Sequence, residues 1–489
     1  MAMRHVVIVG GGITGLSAAL EVQSLARQHH LPVRCTLIEK EARLGGKILT
    51  IRQDGFLVEA GPDSFLAIKP WATDLCHRLG LGDQLIAQEK QPVYILHRGR
   101  LHPLPEEFLM GIVGDLRSLA QSSLFSLLEK ARMLFEPFIP LRLDEQDTSV
   151  GALIRRRLGQ AALDRLAGPL IAGIYAGNPE ELSVLAAAPY LVELMRSGPG
   201  LLLGALRMQA RRKGTRSSPS FLTLAGGLQD LVDRLRASLH DVDIQIGVAA
   251  RSLKRRSLGY TVELTDGTAL DADAVLLTIP AFAAAELLSS LAPHVAEILW
   301  TIPYASTATI SLAYRREEIQ HPLSGSGFLV SREERGAVTA CTWVSSKWPG
   351  RVPSGAVLLR AYVGEFGREE ALNRDDERIV AIVEETLAPL LSIKGRPLFS
   401  WITRWHRAMP QYTPGHLSRV ARVEEELTHF PGLHIAGAAY RGVGIPDCIH
   451  QGQLAAQKVV QELWPNVNIQ LPRQADKNGE IFRHKLLQN

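Results

Sequence analysis

The fold is decided by residues 5–15, His5-Val6-Val7-Ile8-Val9-Gly10-Gly11-Gly12-Ile13-Thr14-Gly15, where an apolar run passes directly into a glycine cluster. A segment with apolar residues at helical spacing follows over residues 16–29, and a second apolar run over residues 33–38 ends at the acid Glu39. Short apolar runs bounded by glycine are typical of buried strands, and the periodic segment is typical of a helix. The sequence therefore predicts a strand, a tight turn, a helix, a second strand and an acid, in that order.

Each position of this turn has a task in holding a dinucleotide. Gly10 lets the chain turn sharply, Gly12 has no side chain to keep a pyrophosphate away, and Gly15 lets the helix press on the strand. The helix N-terminus presents free N–H groups and a positive dipole end to phosphates. Glu39 is placed to accept hydrogen bonds from ribose hydroxyls. The candidate cofactor residues of this stretch are Gly10, Gly11, Gly12, Ile13, Thr14, Gly15 and Glu39.

A second glycine motif narrows the cofactor. Residues 43–47, Arg43-Leu44-Gly45-Gly46-Lys47, resemble the Arg-x-Gly-Gly signature of the glutathione-reductase-like FAD proteins. That resemblance implies that the glycine pair lies along the ribityl and pyrophosphate chain of the flavin, with a nearby cation compensating the phosphates. FAD is favoured over NAD. The candidates here are Lys40, Arg43, Gly46 and Lys47.

The next stretch, residues 54–65, supplies a third candidate contact. Alternation at Phe56 and Val58 predicts a short strand, and Gly61-Pro62 predicts a turn that brings backbone amides near the isoalloxazine. An ordinary hairpin turn explains the same residues equally well. Beside the preceding glycine pair, flavin contact is the favoured interpretation, with Gly61, Pro62, Asp63 and Ser64 as candidates.

Composition limits the remaining classes. With 489 residues and 46% apolar residues the chain has enough length for two or three domains, and a net charge of +4 does not indicate nucleic-acid binding. Four cysteines, far apart, predict a reduced cytoplasmic protein without a structural metal site. No apolar run is long enough for a spanning helix, so the chain is expected to be soluble or to lie on a membrane surface. The glycines of residues 10–12 argue against a signal peptide.

Residues 71–206 change to helical spacing, with amphipathic segments at 75–79, 116–135, 150–166 and 185–195. They predict a helical insertion whose apolar residues form a buried core. The alternative is a surface that lies on a bilayer, with Lys130, Arg132 and Arg142 near its edges. That surface would comprise Phe108-Leu109-Met110, Leu124-Phe125, Leu127-Leu128, Met133-Leu134-Phe135 and Phe138-Ile139.

Within the insertion, residues 172–179 read Ala172-Gly173-Ile174-Tyr175-Ala176-Gly177-Asn178-Pro179 and are too rich in glycine for a helix interior. A break between helices would allow a large flat ligand to approach closely. A plain interhelical loop is an equally good explanation.

The second half returns to strands. A helix over residues 226–239 precedes strands at 242–247, 248–253, 260–264 and 274–278, and residues 307–404 predict an antiparallel sheet with a helix at 379–391. This sheet would form the wall of a substrate pocket. A last strand at 433–438 leads into a helix to Leu463, with Pro446 in its first turn.

Over residues 6–463 the chain resembles the oxygen-dependent porphyrinogen oxidases of haem biosynthesis, most nearly the Gram-positive bacterial type that acts on coproporphyrinogen III. The resemblance implies an α/β fold: an FAD-binding Rossmann-type domain like that of glutathione reductase and the amine oxidases, an α+β substrate domain and a helical insertion. The matching stretches are residues 10–16, 43–47, 59–66, 173–177, 340–343 (Ala340-Cys341-Thr342-Trp343), 403–406, 409–412 and 442–448.

The resemblance also implies the reaction. A porphyrinogen loses six electrons to become a porphyrin, and O2 reoxidises the flavin with release of H2O2. Lys69, Arg404 and, more weakly, His406 are expected to bind propionates, although solvated surface cations explain them as well. Further expected contacts are Gly173, Ile174 and Tyr175 on the substrate and Val248, Trp405, Gly444, Ile445, Pro446 and Asp447 on the cofactor. No side chain is assigned as a general base.

We expect an FAD-binding domain of residues 1–70, 221–295 and 430–465, a substrate domain of 71–95 and 296–429, an insertion of 96–220 and a polar tail of 466–489. Expected partners are the porphyrinogen and O2, with a membrane surface and a downstream haem-pathway enzyme as further candidates. The alternatives are a protoporphyrinogen IX oxidase, a flavin amine oxidase or a non-catalytic porphyrin-binding flavoprotein. The sequence indicates no oligomeric state.

Overall fold

The computed structural model describes residues 2–104, 108–109, 112–113, 116–140, 147–212, 220–334, 336–467 and 469. Most of the expected polar tail, together with Met110 and Arg142 of the candidate membrane surface, lies outside these residues. Among the helices described, none is both long and apolar enough to span a bilayer.

A parallel sheet of five strands carries the amino-terminal motif. Its strands Arg4–Val9 and Val33–Glu39 flank the helix Ile13–Gln28, so the predicted strand, turn, helix and strand are confirmed. Val6, Val7 and Ile8 are fully buried, as expected for a strand covered on both faces. The strand order is Val242–Ile246, Val33–Glu39, Arg4–Val9, Ala274–Leu277 and Leu433–Ile435.

Two long helices cross beside this sheet. Ile13–Gln28 packs against Ile445–Leu463, whose Gly452 comes so close that a Cβ there would lie 2.3 Å from the Thr14 carbonyl oxygen. The carboxyl-terminal helix is thereby fixed beside the glycine turn. Further helices near this sheet are Pro70–Arg78, Gln229–Ser238, Ala281–Leu288, Pro293–Trp300 and His416–Leu427.

Three small sheets surround the parallel sheet. The hairpin is Thr50–Gln53 with Phe56–Glu59, one three-stranded sheet is Phe65–Leu66, Phe221–Leu224 and Leu85–Ala87, and the other is Ala250–Arg255, Tyr260–Leu264 and Ala269–Ala272. The strand predicted at 248–253 thus begins two residues later, because residues 248 and 249 form the connection from Val242–Ile246.

A mixed sheet of seven strands forms the second layer. Its pairs are antiparallel except for the parallel pairing of Gly327–Val330 with Val93–His97. The predicted helix is present as Asp376–Leu391 and buries its apolar side against the sheet. The strand order is Phe399–Pro410, Tyr304–Arg315, Ala356–Val363, Val338–Trp343, Gly327–Val330, Val93–His97 and Arg100–Pro103; the short helix Val344–Lys347 follows the fourth of these.

The helical segment has its own core. The stretch expected as one amphipathic unit at 116–135 is two helices, because Ser126 caps the second one through a capping box with Glu129. The stretch at 150–166 is interrupted at Gly159, which has a φ of +92°. The α-helices are Leu116–Gln121, Leu127–Leu134, Val150–Leu158, Gln160–Ala162, Gly168–Tyr175, Val184–Ala187, Pro189–Ser197 and Leu201–Arg212, and a π-helical turn, Leu163–Ala167, joins the fourth to the fifth. A short strand pair, Phe108–Leu109 with Ile112–Val113, precedes them.

The expected break at residues 172–179 is wrong in its first half. Residues 172–175 belong to the helix Gly168–Tyr175, which ends only where Ala176 adopts a φ of +46°. Gly173 is tolerated inside the helix because a Cβ there would meet only the Leu329 side chain, at 3.5 Å. The position is therefore close to a neighbouring strand, and the glycine leaves room at that contact.

Candidate active site

One large cavity runs between the parallel sheet, the seven-stranded sheet and the helical segment. Its volume is about 3480 Å³, whereas typical small-molecule pockets hold about 300–1,000 Å³. The cavity therefore has room for a dinucleotide and a second large ligand. Of the predicted site residues, Gly11, Gly15 and Arg404 do not line it, and all the others do.

The glycine turn at one end leaves space where a phosphate chain would pass. A Cβ on Gly15 would lie 1.9 Å from the Gly10 carbonyl oxygen, so this glycine is required by the packing of the turn itself. A Cβ on Gly12 would meet nothing within 4 Å except the Gly46 Cα, at 4.0 Å. The two glycine motifs are in direct contact, since the Gly45 N–H donates to the Gly11 carbonyl oxygen at 2.8 Å, and the space that Gly12 leaves open lies beside the N-terminus of Ile13–Gln28.

Glu39 connects the same turn to the second strand. Its carboxylate accepts hydrogen bonds from the backbone N–H groups of Gly11, at 2.6 Å, and Glu41, at 2.9 Å. The backbone N–H of Val248 donates to the Glu39 carbonyl oxygen at 3.1 Å, which places Val248 beside it in the cavity wall. Each carboxylate oxygen has a further lone pair for a ribose hydroxyl.

The cations of the second motif are arranged differently from one another. Arg43 donates to the carbonyl oxygens of Gly46, at 2.5 Å, and Ile48, at 3.0 Å, so its guanidinium holds the glycine turn. Lys47 lines the cavity, and no hydrogen bond or ion pair joins it to the rest of the described chain. Burial lowers the pKa of Lys47, although the charge of Cys448 opposes this. Lys47 is therefore better placed than Arg43 to compensate the charge of phosphates. Lys40 is exposed, and its Nζ lies 3.5 Å from the Glu41 carboxylate.

The loop of residues 61–64 is fixed from two sides. A Cβ on Gly61 would lie 1.8 Å from the Lys47 carbonyl oxygen, so the loop passes tightly over the second motif. The Ala60 carbonyl oxygen accepts hydrogen bonds from Trp405 Nε1, at 2.9 Å, and Thr309 Oγ1, at 2.8 Å. Trp405 therefore anchors the loop from the seven-stranded sheet.

The helix Ile445–Leu463 points its N-terminus at the cavity. Gly444 caps it, and Pro446 stands in its first turn as predicted. Asp447 accepts from Lys69 Nζ at 2.7 Å and 2.8 Å. A residue expected to bind substrate and one expected to bind cofactor are thus an ion pair in the cavity wall.

The helical segment closes the opposite end. Gly173, Ile174 and Tyr175 line the cavity, and Tyr175 is held by hydrogen bonds from its hydroxyl to the Ala187 carbonyl, at 3.1 Å, and from Gln411 Nε2 to its own carbonyl, at 2.9 Å. Burial raises the pKa of Tyr175, so the phenol stays neutral. This wall therefore offers a flat ligand an apolar, uncharged contact.

The two predicted propionate-binding residues of strand Phe399–Pro410 lie in different places. Arg404 pairs with Asp376 and donates to the Arg374 carbonyl at 2.7 Å, away from the cavity. His406 is exposed and lines the cavity. In a regular strand residues 404 and 406 would share a face, so their separation is consistent with the irregular pairing that begins at Trp405, where the register with Tyr304–Arg315 shifts.

Sequence reasoning missed a buried charged group on an interior strand of the seven-stranded sheet. Arg360 lines the cavity from Ala356–Val363 and donates to the Gly61 carbonyl oxygen. Lys347 forms an ion pair of 2.8 Å with Asp63. The signal for Arg360 was present as a lone arginine in an apolar strand, Val357-Leu358-Leu359-Arg360-Ala361.

These observations fit a flavin dinucleotide: a glycine turn without Cβ atoms, an acid at the second strand, a lysine that has no partner among the described residues, and two helix N-termini at one cavity. The fold and site define the class of flavin-dependent oxidoreductases. The chain matches the model of the flavin-containing amine oxidoreductases over residues 13–460 and belongs to that family. FAD is its cofactor.

Comparison with known proteins refines this result. The chain is 38% identical to the coproporphyrinogen III oxidase of Bacillus subtilis, covering 94% of this chain and 99% of that protein. It is 31% identical to the enzyme of the same name from Staphylococcus aureus, covering 94% and 100%. A crystal structure from Exiguobacterium sp. 255-15, provisionally named protoporphyrinogen oxidase, superimposes with a TM-score of 0.84 at 35% identity, covering 95% and 99%.

A more distant structure shows how widely the fold occurs. Reduced UDP-galactopyranose mutase superimposes with a TM-score of 0.73 at 16% identity, covering 99% of this chain and 98% of that one. The predicted fold class, an α/β FAD-binding fold, is confirmed.

Proposed function

We propose that this protein is an FAD-dependent oxidase that dehydrogenates coproporphyrinogen III to coproporphyrin III, with O2 as acceptor and H2O2 as product. The observation that carries the proposal is the similarity, over nearly the whole of both chains, to proteins named coproporphyrinogen III oxidase. Bound FAD would supply the two-electron acceptor. The chain supplies binding, orientation and a water-poor wall.

Three ionisable side chains of the cavity wall, Asp447, Asp63 and Tyr175, are poorly suited to proton transfer. Asp447 is engaged by Lys69, and Asp63 by Lys347. Burial raises the pKa of Tyr175 well above neutrality. We therefore assign no general base, and the proposal leaves proton movement to the macrocycle nitrogens and water.

Cations at the cavity support a substrate with several carboxylates. Lys90 and Arg196 line the cavity and are exposed, and neither has a hydrogen bond or ion pair within the described part of the chain. Lys69 lines it too, with Asp447 neutralising its charge. Because coproporphyrinogen carries four propionates and protoporphyrinogen two, uncommitted cations favour the former.

Anaerobic mixing tests the proposal. The FAD-loaded protein is mixed separately with coproporphyrinogen III, protoporphyrinogen IX and a primary amine, and bleaching of the flavin absorbance is followed before O2 is admitted. We expect fast bleaching with coproporphyrinogen III and porphyrin fluorescence after O2 is admitted. If only protoporphyrinogen IX bleaches the flavin, the proposed substrate is wrong. If only the amine does, the protein is not a porphyrinogen oxidase.

A membrane contact is the second part of the proposal. The expectation of a buried core holds for Leu124, Phe125 and Met133. It is wrong for the apolar surface patch formed by Leu127, Leu128, Phe135 and Phe138, whose exposed fractions are 83%, 84%, 64% and 80%.

An apolar patch of this kind on a helix edged by cations suits the interface of an anionic bilayer. Lys130 and Arg132 stand on the helix that carries Leu127 and Leu128. The same helical segment also lines the cavity.

Flotation with phosphatidylglycerol vesicles tests the contact. Leu128→Asp/Phe138→Asp should reduce the bound fraction at least tenfold, because each substitution places a charge in the apolar interface. The control is Leu258→Asp, a similarly exposed leucine between the strands Ala250–Arg255 and Tyr260–Leu264, which should bind as the wild type does. Equal binding of both variants would contradict the contact. A downstream haem-pathway partner stays a prediction.

A further inference from the structure

Arg360 is a buried cation in the wall of the cavity. It sits in the middle of Ala356–Val363, paired with Ser311 on one neighbouring strand and Thr342 on the other. Its exposed fraction is 3%. A guanidinium does not lose its proton in a protein, so the charge has to be compensated where it lies.

The compensation of Arg360 is incomplete. Its Nη2 donates to the Gly61 carbonyl oxygen, and its Cζ lies 4.9 Å from the centre of the Tyr362 ring. Its Nε and Nη1 have no hydrogen-bond partner anywhere among the residues that the structure describes. Two donors of a buried cation are thus left without acceptors beside the cavity.

Arg360 and the charged groups around it have a net charge of one positive unit. Lys347 forms an ion pair of 2.8 Å with Asp63, and Trp348 Nε1 donates to the same carboxylate at 3.2 Å. Burial would raise the pKa of Asp63, but the charges of Lys347 and Arg360 outweigh it and hold the pKa below its ordinary value. Lys347, Arg360 and Asp63 all line the cavity, and together they carry two positive charges against one negative.

The other acid in the neighbourhood does not cancel this charge. Glu59 has its own partners: Arg351 Nη1 lies 3.7 Å away, and Thr50 Oγ1 donates to it at 2.7 Å. Glu59 and Arg351 carry one charge of each sign, so including them leaves the same single positive charge. The cluster of Arg360, Lys347 and Asp63 therefore keeps its net positive charge.

We propose that this three-residue cluster stabilises the negative charge that FAD acquires on reduction, and that Arg360 is a positioning residue which also fixes the Gly61-Pro62 turn. When FAD takes up two electrons and one proton it gains one negative charge; in the test below, a chemical reductant supplies the electrons. A fixed positive charge in a water-poor wall favours the reduced form more strongly than the same charge in water. The inference rests on FAD as cofactor and not on the identity of the substrate.

The flavin midpoint potential measures this effect directly, by dye-equilibrated chemical reduction without porphyrinogen. Arg360→Gln should weaken binding of reduced relative to oxidised FAD about tenfold, which lowers the potential of a two-electron couple by about 30 mV. Arg360→Lys should restore most of it. If Arg360→Gln does not retain FAD, Lys347→Met removes one charge of the same cluster and should also lower the potential.

Arg351→Gln is the matched control. Arg351 is also buried, at 1% exposure, and donates to the Leu224 carbonyl at 2.8 Å, but it lies outside the cavity wall. Its variant should melt at a lower temperature while keeping the wild-type potential. An unchanged potential in Arg360→Gln, or an equal fall in Arg351→Gln, would overturn the proposal. If the protein does not oxidise coproporphyrinogen, the proposed function is wrong, but the effect of Arg360 on the flavin potential is unaffected.

Discussion

The two ends of the cavity are built from different materials. The cofactor end consists of glycine backbone and helix N-termini, and its side chains Glu39 and Arg43 are largely occupied with bracing the loops. The substrate end consists of side chains from the helical segment and the seven-stranded sheet, such as Ile174 and Leu329. Cofactor binding therefore depends on glycine positions that have no side chain, whereas substrate binding depends on which side chains the fold brings together.

The largest effect is expected at the cofactor end. In Gly15→Ala the new Cβ would lie 1.9 Å from the Gly10 carbonyl oxygen and 2.7 Å from Thr278 Oγ1. Either the turn or the helix start must move, and we expect a loss of at least about 3 kcal/mol in the free energy of unfolding. Chemical denaturation of the FAD-free protein measures it. A loss below about 1 kcal/mol would show that the turn adapts.

Gly12→Ala should separate folding from cofactor binding. Its Cβ would meet only the Gly46 Cα, at 4.0 Å, and Gly12 has an extended φ of −72° that alanine adopts freely. Stability of the FAD-free protein should change by less than about 0.5 kcal/mol. FAD affinity should fall about 100-fold, because the methyl group fills the space of the phosphate chain. Unchanged affinity in a titration would place the phosphates elsewhere.

These two glycines also show why one end was readable from sequence. Gly10 to Glu39 form one local unit, so strand, turn, helix and acid follow from order and spacing. Lys69 and Asp447 meet although 378 positions separate them, and no local pattern could pair them. Arg360 was missed for a different reason. The sequence predicted its strand correctly, but a charged residue inside that apolar strand was not considered as a site residue. The helix through Gly173 shows tertiary packing overriding propensity.

Lys47→Met should act in opposite directions on the two forms of the protein. Without FAD, the variant removes a partly buried charge that has no partner in the described chain, so stability should be equal or higher. FAD affinity should fall about tenfold, since a phosphate loses its cation. Isothermal titration and thermal melting of both forms measure this. A loss of stability without a loss of affinity would make Lys47 a structural residue.

The same lysine gives a pH dependence of stability. Burial lowers the pKa of Lys47 in the folded protein below that of the unfolded chain. Between the two pKa values the unfolded state binds more protons, so the unfolding free energy of the FAD-free protein should rise as pH increases toward about 10.4, the model-peptide value. Lys47→Met should flatten that rise. Parallel pH profiles of wild type and variant would contradict the assignment.

The smallest effects are expected at the substrate end, where Lys69 and Arg404 form a matched pair. Lys69 lines the cavity with Asp447 as partner, whereas Arg404 pairs with Asp376 outside it. Lys69→Met should raise KM for coproporphyrinogen III about three- to tenfold, the range of a partly neutralised cation, and Arg404→Met should leave it within about twofold. Steady-state O2 consumption measures both. If Arg404→Met has the larger effect, the propionates lie along Phe399–Pro410. The cavity would then hold only part of the substrate, and the substrate end would include the outer side of that strand.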